Sequence, residues 1–502
     1  MCMTTPFVTD LDTPLLNLNG KDKFTVRDSF NGVHVFGAIG SGKTSGVGKA
    51  LAGAYLRAGY GGLVLCAKEE ECELWKSYCK QHGRESSMIL FNEKRHFNFL
   101  SYIFAMKGVE GANSATDTLM KVLKAADLAA GQGQGKEGEA FWIKTTREMI
   151  LNTITVLYSA IGTVRVESIV EFITSMPAAP PSTEEAKQKL VKNYALDRLT
   201  RCKKSPVHPL PPHTLKRVRD YWFKQFANPA AMPEKTRGSI VTSVTAELNR
   251  FSDGILRECF TTTTDLVPEM VFNGHIIIMG FPSLSYQEEG TVAQGLFKLM
   301  FQRAIEARNG LAKEFRERPT FLYADEAQYF VSHYDDTFLS TCRGSKCAVV
   351  FMTQSLPTYF AQLGKEKSDA VDGFVGKFGN KVFHLNSCPR TNSYASDLIG
   401  KGLKLHKTSS RTISSGLQTN RGATQSSTNQ GFNQSEGSNE TTGANEQLGY
   451  LVEPNLFSTS LKTGAPLNKF LVDAVWFKAG ANFQEPIPDT NSNVLLVTFN
   501  QK

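Results

Sequence analysis

The sequence predicts an α/β protein in which a mostly parallel sheet is interrupted by an inserted all-α domain. Three observations predict it. First, the apolar run Val33-His34-Val35-Phe36 leads into a Gly-rich turn, a helical pattern over Ser45–Ala58 and a second apolar run, Gly62–Cys66. Strand, loop, helix, strand is a βαβ unit, and such units build parallel sheets covered on both faces. Second, runs of the same character return only late in the chain, at His275–Met279, Thr320–Ala324, Ala348–Met352 and Lys381–Leu385. Third, between about Ala112 and Phe260 apolar residues recur at helical spacing, most clearly in Phe141–Tyr158 and Val166–Ile173. Pro-rich breaks at Met176–Pro181 and Pro206–Pro212 divide that stretch.

At 502 residues the chain has room for two to four domains at roughly 150 residues each. Residues 1–104 read as the first part of a nucleotide-binding domain, 105–262 as the all-α insertion and 263–407 as the second part. Residues 408–447 are rich in Ser, Thr, Gly, Asn and Gln with almost no large apolar side chains, which cannot offset the entropy of ordering. They are expected to be a flexible loop, after which strands in 448–502 (Lys469–Val472, Val494–Phe499) return to the core.

The net charge of +8 favours a polyanionic partner, though basicity alone is a weak argument. Nine cysteines are spaced too loosely for zinc: Cys66, Cys72 and Cys79 do not pair up, and Cys342 and Cys347 lack a second pair nearby. Reduced thiols of a cytoplasmic protein are expected. No segment approaches the roughly 18 consecutive apolar residues of a membrane span, and the first residues lack the regions of a signal peptide. Attachment to a membrane is therefore expected only through partners.

The strongest motif is Gly37-Ala38-Ile39-Gly40-Ser41-Gly42-Lys43-Thr44, followed by Ser45. It matches the P-loop pattern in full and sits between a strand and a helix, as that motif requires. Its glycines let backbone N–H groups face phosphates at a helix N-terminus. Lys43 is expected to reach the β- and γ-phosphates of ATP, and the Thr44 hydroxyl to hold Mg²⁺. The second motif is a strand, Phe321–Ala324, ending in Asp325-Glu326-Ala327-Gln328. Asp325 is placed to support Mg²⁺ through a water, and Glu326 to polarise the attacking water. Adjacent carboxylates argue for hydrolysis and against a kinase. The third is Ala348–Met352 ending in Thr353-Gln354-Ser355. Ligands of open parallel sheets sit beyond the carboxyl ends of strands, so Gln354 can sense the γ-phosphate.

Two further features stay open on the residues alone. Arg343, in Thr341-Cys342-Arg343-Gly344-Ser345-Lys346, is either an arginine finger for a neighbouring subunit or a solvated base, and Lys346 competes for the role. In the insertion, cations outnumber acids between Lys187 and Lys224, with Lys203, Lys204, Lys216 and Arg217 prominent and Tyr194, Tyr221 and Trp222 interleaved. That suits phosphate contacts and base stacking, or simply a solvated helix face.

Taken together, the three motifs in this order with a helical insertion resemble the type IV coupling proteins of bacterial conjugation and secretion (the TraG/TraD family), in the HerA/FtsK group of additional-strand P-loop ATPases. The resemblance also rests on Phe24–Asp28, Gly62–Glu69, Phe141-Trp142, Phe383–Leu385 through Ala395–Gly400, and Tyr450–Pro454. It implies a RecA-like core, a homo-hexamer with ATP and Mg²⁺ between subunits, and DNA in the central channel. It further implies that Arg343 is the finger and that the insertion faces relaxosome or secretion-channel proteins. Most members carry an N-terminal transmembrane domain, whereas here the P-loop begins at residue 37. A cytoplasmic motor, peripheral at the inner membrane through a membrane-bound partner, is the expectation. The alternatives are a HerA/FtsK-like motor for DNA repair, packaging or segregation, and an ATP-gated adaptor that recruits protein to a secretion system.

Overall fold

The apolar runs become strands wherever both of their faces can be covered. The computed structural model describes residues 6–129, 139–177, 192–364, 368–419, 432–464 and 466–502. In chain order its strands are β1 (Pro14–Asn17), β2 (Lys23–Thr25), β3 (Val33–Phe36), β4 (Gly61–Leu65), β5 (Met88–Phe91), β6 (Ile276–Met279), β7 (Thr320–Ala324), β8 (Cys347–Thr353), β9 (Asn380–Phe383), β10 (Lys401–Thr419), β11 (Phe432–Tyr450), β12 (Leu471–Lys478) and β13 (Val494–Asn500).

Nine of them form one sheet in the order β13-β12-β9-β3-β8-β7-β4-β6-β5. The seven strands from β9 to β5 are parallel, and β12 and β13 close one edge antiparallel. Every residue of β3, β4, β6, β7 and β8 is buried, which is why these strands read as continuous rather than alternating apolar runs. Successive side chains serve opposite faces. Ile276 and Ile278 pack with Leu51, Tyr55 and Trp75 of the helices Lys49–Arg57 and Glu69–Gln81. Ile277 and Met279 pack with Leu296, Phe297 and Met300 of the helix Ser283–Ala307.

The described residues of the stretch with helical spacing are mostly helical, from Phe99–Lys107 through Gly254–Phe260. Its core is continuous with one face of the sheet: Phe91 meets Phe260 at 5.1 Å between ring centroids, and Phe97 meets Phe297 at 5.2 Å. Among the described residues no single helix is long and apolar enough to cross a membrane. The most apolar pair, Glu139–Ile161 and Val166–Ser175, turns Ile150, Ile154, Leu157, Ile169 and Phe172 into this core.

One expectation is overturned. Within the segment read as a flexible loop, 408–447, the described residues are strand. β10 and β11 pair antiparallel from Lys401↔Tyr450 to Thr419↔Phe432 as a two-stranded ribbon separate from the main sheet. The composition argument assumed that order requires a buried core. In the structure the described residues pair their backbone groups with one another along nineteen positions instead. Residues 420–431 lie outside the described residues.

Candidate functional site

Three strand ends lie together at one edge of the sheet. Phe36 of β3 is level with Thr353 of β8, and Ala324 of β7 is level with Phe351 of β8. The P-loop, Gln354 and Asp325-Glu326 therefore leave the sheet side by side, with the strand bearing Gln354 between the other two. That intervening strand is what the additional-strand class requires.

The Gly37–Thr44 loop wraps tightly before the helical turn Thr44–Gly48 and the helix Lys49–Arg57. Gly42 has φ +86°, a conformation side chains resist, and a Cβ there would lie 2.7 Å from Val472 of β12. A Cβ on Gly37 would come within 2.4 Å of Ser41 Oγ. Gly40 also has positive φ. The loop thus holds its curve against β12, with the Gly37 and Ala38 N–H groups donating to Thr353 O and Leu385 O and the Ser41 N–H to Ala38 O.

Lys43 is buried, and its Nζ donates to Glu326 Oε1 at 3.2 Å. Glu326 Oε2 accepts from Gln328 Nε2 at 2.8 Å and from Gln354 Nε2 at 3.2 Å, while Lys68 Nζ stands 3.9 Å from Oε1. Burial pushes the Glu326 carboxyl up, but the Lys43 charge and the three hydrogen bonds outweigh it and hold the acid below its usual range. Beside it, burial raises Asp325 despite the opposing charge of Lys43 and the Thr44 hydrogen bond. Thr44 Oγ1 donates to Asp325 Oδ2. A hydroxyl and a carboxylate oxygen converging beside a lysine make the hard-oxygen pair that suits Mg²⁺. Glu326 itself lies in the left-handed region, φ +52°, with its N–H bonded to Asp325 Oδ1 at 2.9 Å. Such a conformation costs about 1–3 kcal/mol and persists where neighbours over-determine it.

The family comparison agrees with this geometry. The model for the type IV secretory system conjugative DNA transfer family matches residues 8–435. The chain belongs to that family. Its fold is that of TrwB, a bacterial conjugative coupling protein. An unbound form of TrwB superposes with a TM-score of 0.54 at 13% identity, covering 100% of this chain and 90% of that one. TrwB with ADP and Mg²⁺ gives 0.53 at 14% identity over 100% and 90%, and TrwB with the ATP analogue ADPNP gives 0.52 at 14% over 100% and 91%. No curated protein matches the chain by sequence.

Of the residues singled out in sequence, Gly40, Ser41, Gly42, Lys43, Thr44, Ser45, Asp325, Glu326 and Gln354 line two adjoining cavities, and Gly37 forms the turn beneath them. Arg343 is not with them. It is exposed in the turn that precedes β8, whereas the cavities lie beyond the other end of that strand. Lys346 Nζ is engaged with Glu317 at 3.1 Å. Lys203, Lys204, Lys216 and Arg217 are all exposed, with no carboxylate at ion-pair distance among the described residues. The stacking role read for the aromatics beside them is overturned. Tyr221 and Trp222 are buried, with Trp222 packed edge-on against Phe172 and Phe226. Helical periodicity turns these positions inward while the cations of the same stretch face water. Tyr194 is half-buried beneath the Arg198 guanidinium, 4.4 Å from the ring centroid. Lys187 and Lys189 lie outside the described residues.

Three site residues had no role assigned from sequence: Lys68, Glu71 and Gln328. Lys68 follows the end of β4 and faces Glu326. Gln328 bridges Glu326 and Thr353, accepting from Thr353 Oγ1 at 2.9 Å. The Glu71 carboxyl, pushed up to about 8 by burial and the nearby Asp325 charge, accepts from the Ala67 N–H at 2.7 Å and lines the same cavity. The available signal was position: Gln328 lies four residues past the end of β7, and Lys68 and Glu71 are the N-cap and first turn of the helix that follows β4.

Proposed function

We propose that this chain is an ATPase which, as a ring of six, moves DNA toward a transfer channel. The observation that carries the reading is the convergence of Lys43, Thr44, Asp325, Glu326 and Gln354 at the ends of three neighbouring parallel strands. Thr44 and Asp325 would hold Mg²⁺, Asp325 through a water, and the ion would neutralise developing phosphate charge. The chain's own steps follow from the hydrogen bonds. Lys43 is held by Glu326, and an arriving triphosphate offers it a stronger partner. Once Lys43 turns to the phosphate, Glu326 Oε1 is free to accept a hydrogen bond from water and orient it for attack. Gln354 joins Glu326 to the γ-phosphate, so loss of that phosphate is felt along β8.

Arg343 cannot serve its own site. β8 is seven residues long, about 23 Å at 3.3 Å per residue, and separates the turn from the phosphate edge. A neighbouring subunit in a ring supplies it in trans. Lys203, Lys204, Lys216 and Arg217 then offer the insertion's charge to DNA phosphates, while relaxosome or secretion-channel proteins and a membrane-bound partner place the motor at the inner membrane.

Steady-state ATPase turnover without DNA, with single-stranded DNA and with duplex tests the reading across protein concentration. Turnover rising with both DNA and concentration is expected, and neutralising the four basic residues should lower the DNA response and flatten its salt dependence. Turnover indifferent to DNA overturns the motor reading in favour of an ATP-gated adaptor.

A further inference from the structure

The turn that carries Arg343 is closed on itself and exposed only at its tip. The Ser345 and Cys347 N–H groups both donate to Cys342 O, at 3.1 and 3.0 Å, and the Lys346 N–H donates to Arg343 O at 3.1 Å. Lys346 lies in the left-handed region, φ +52°, and its carbonyl accepts from the Thr320 N–H at 2.9 Å, at the start of β7. Cys342, Ser345 and Cys347 are buried, while Arg343 and Gly344 are exposed.

Behind this turn stands Arg308, where the helix Ser283–Ala307 ends. Its side chain is buried, yet no carboxylate lies at ion-pair distance from it among the described residues. The guanidinium is spent on carbonyls instead: Nη1 donates to Ser345 O at 3.2 Å, and Nε and Nη2 donate to Phe315 O and Arg318 O. Phe272 packs under it, with its ring centroid 4.7 Å away. A planar fork with several donors can tie three chain segments at once, which a lysine cannot. Asn309 adds a second hold, its Nδ2 donating to Ser345 Oγ at 3.3 Å. Both residues therefore grip Ser345, two positions past Arg343. Burying a charge without a carboxylate is costly, and the phosphate-edge chemistry of the same subunit makes no use of this one.

We propose that Arg308, with Asn309, is a positioning residue for Arg343: it fixes the turn so that the Arg343 guanidinium leaves the surface aimed at the nucleotide of the neighbouring subunit. The proposal rests on Arg343 acting in trans. Arg308 touches no nucleotide in either subunit, and its effect passes through the Ser345 backbone. A misplacement of about 1 Å in a reacting group can cost about 10²-fold in rate, so a loosened turn forfeits much of what the finger supplies.

Arg308→Lys keeps the charge and loses the fork. It should lower kcat about 10- to 100-fold while KM for ATP and affinity for a non-hydrolysable ATP analogue stay within about 2-fold of wild type. Asn309→Ala, which removes only the hold on Ser345 Oγ, should lower kcat about 2- to 10-fold in the same pattern, the scale of one neutral hydrogen bond. Mixed rings test the direction of the effect. With Lys43→Ala subunits, whose finger turn is intact, Arg308→Lys should recover to about a quarter of wild-type turnover at equal amounts. With Arg343→Ala subunits it should recover nothing, because neither chain then presents a working finger. Recovery with Arg343→Ala would mean that the Arg308→Lys turn is sound and would overturn the proposal. Recovery with neither partner, together with a lowered melting temperature, would reduce Arg308 to a brace of the fold and overturn it too. So would a wild-type kcat in both variants, or analogue affinity falling as far as kcat. Failure of the finger reading itself looks different: Arg343→Ala and Lys43→Ala subunits would not rescue each other.

Discussion

Arg343 and Lys43 lie at opposite ends of strands in the same sheet, which turns the trans-finger assignment into a quantitative mixing experiment. Arg343→Ala alone should lower ATP turnover by about 10³–10⁵-fold, the usual contribution of a finger. Lys43→Ala alone should be inactive for want of the phosphate-binding cation. In the proposed ring, each site would combine the P-loop of one subunit with Arg343 of the next through a head-to-tail interface. A site in a mixed ring works when an Arg343→Ala subunit supplies Lys43 and the following Lys43→Ala subunit supplies Arg343. With random mixing at equal amounts about one interface in four has that arrangement, so turnover should recover to about a quarter of wild type. Across mixing ratios recovery should trace a symmetrical arch with its maximum at equal amounts. The assay is steady-state phosphate release, with subunit exchange verified by cross-linking of differently labelled chains. A flat line at background across all ratios would refute the trans placement of Arg343.

Glu326→Gln keeps the Oε1 contact but removes the charge that orients water, so it should bind ATP and slow hydrolysis about 10²–10⁴-fold in single turnover; a wild-type rate would remove Glu326 from the mechanism. Lys298 and Asp335 are both buried, 2.5 Å apart, and tie the first turn of the helix His333–Thr341 to the helix Ser283–Ala307. Asp335→Ala should destabilise by about 3–5 kcal/mol because it strands the lysine charge, and adding Lys298→Met should restore most of the loss. A double variant that melts no higher than Asp335→Ala would contradict this. Burial lowers Lys381 to about 8, with Nζ donating to Phe378 O at 2.6 Å. Because the folded value lies below the unfolded one near 10.4, the unfolded chain binds more protons between those values, and stability rises with pH across that window. Lys381→Met should therefore raise stability by about 1–3 kcal/mol at pH 7, and its melting advantage over wild type should shrink between pH 8 and 10. An advantage that stays constant with pH would rule out the lysine as the cause.

The chemistry of the site was legible because it is local. A P-loop is a contiguous run, and Asp325-Glu326 and Gln354 each directly follow a buried strand, so periodicity and a few residue types place them at one sheet edge. What remained illegible depended on direction and distance. Tyr221 and Trp222 read as stacking groups because composition counts neighbours along the chain, while burial depends on which face of a turn meets the core. The 408–447 segment read as a loop because propensity and hydrophobicity weigh side chains along the chain, whereas the pairing of its described residues is a relation between two distant strands.

By itself, the sequence determined that this is an α/β protein with a P-loop motif and a helical insertion, and it singled out the residues that the fold gathers at one sheet edge. Short-range patterns carry that information because phosphate recognition uses backbone curvature and side chains within one strand–loop–helix unit. Only the tertiary structure decided that Lys43 is held by Glu326, that Arg343 stands a strand's length from its own site, and that Gln501 reaches Ser45. Those relations join segments up to nearly 460 residues apart, brought together by the order in which strands pair, and no local spacing in the chain encodes them.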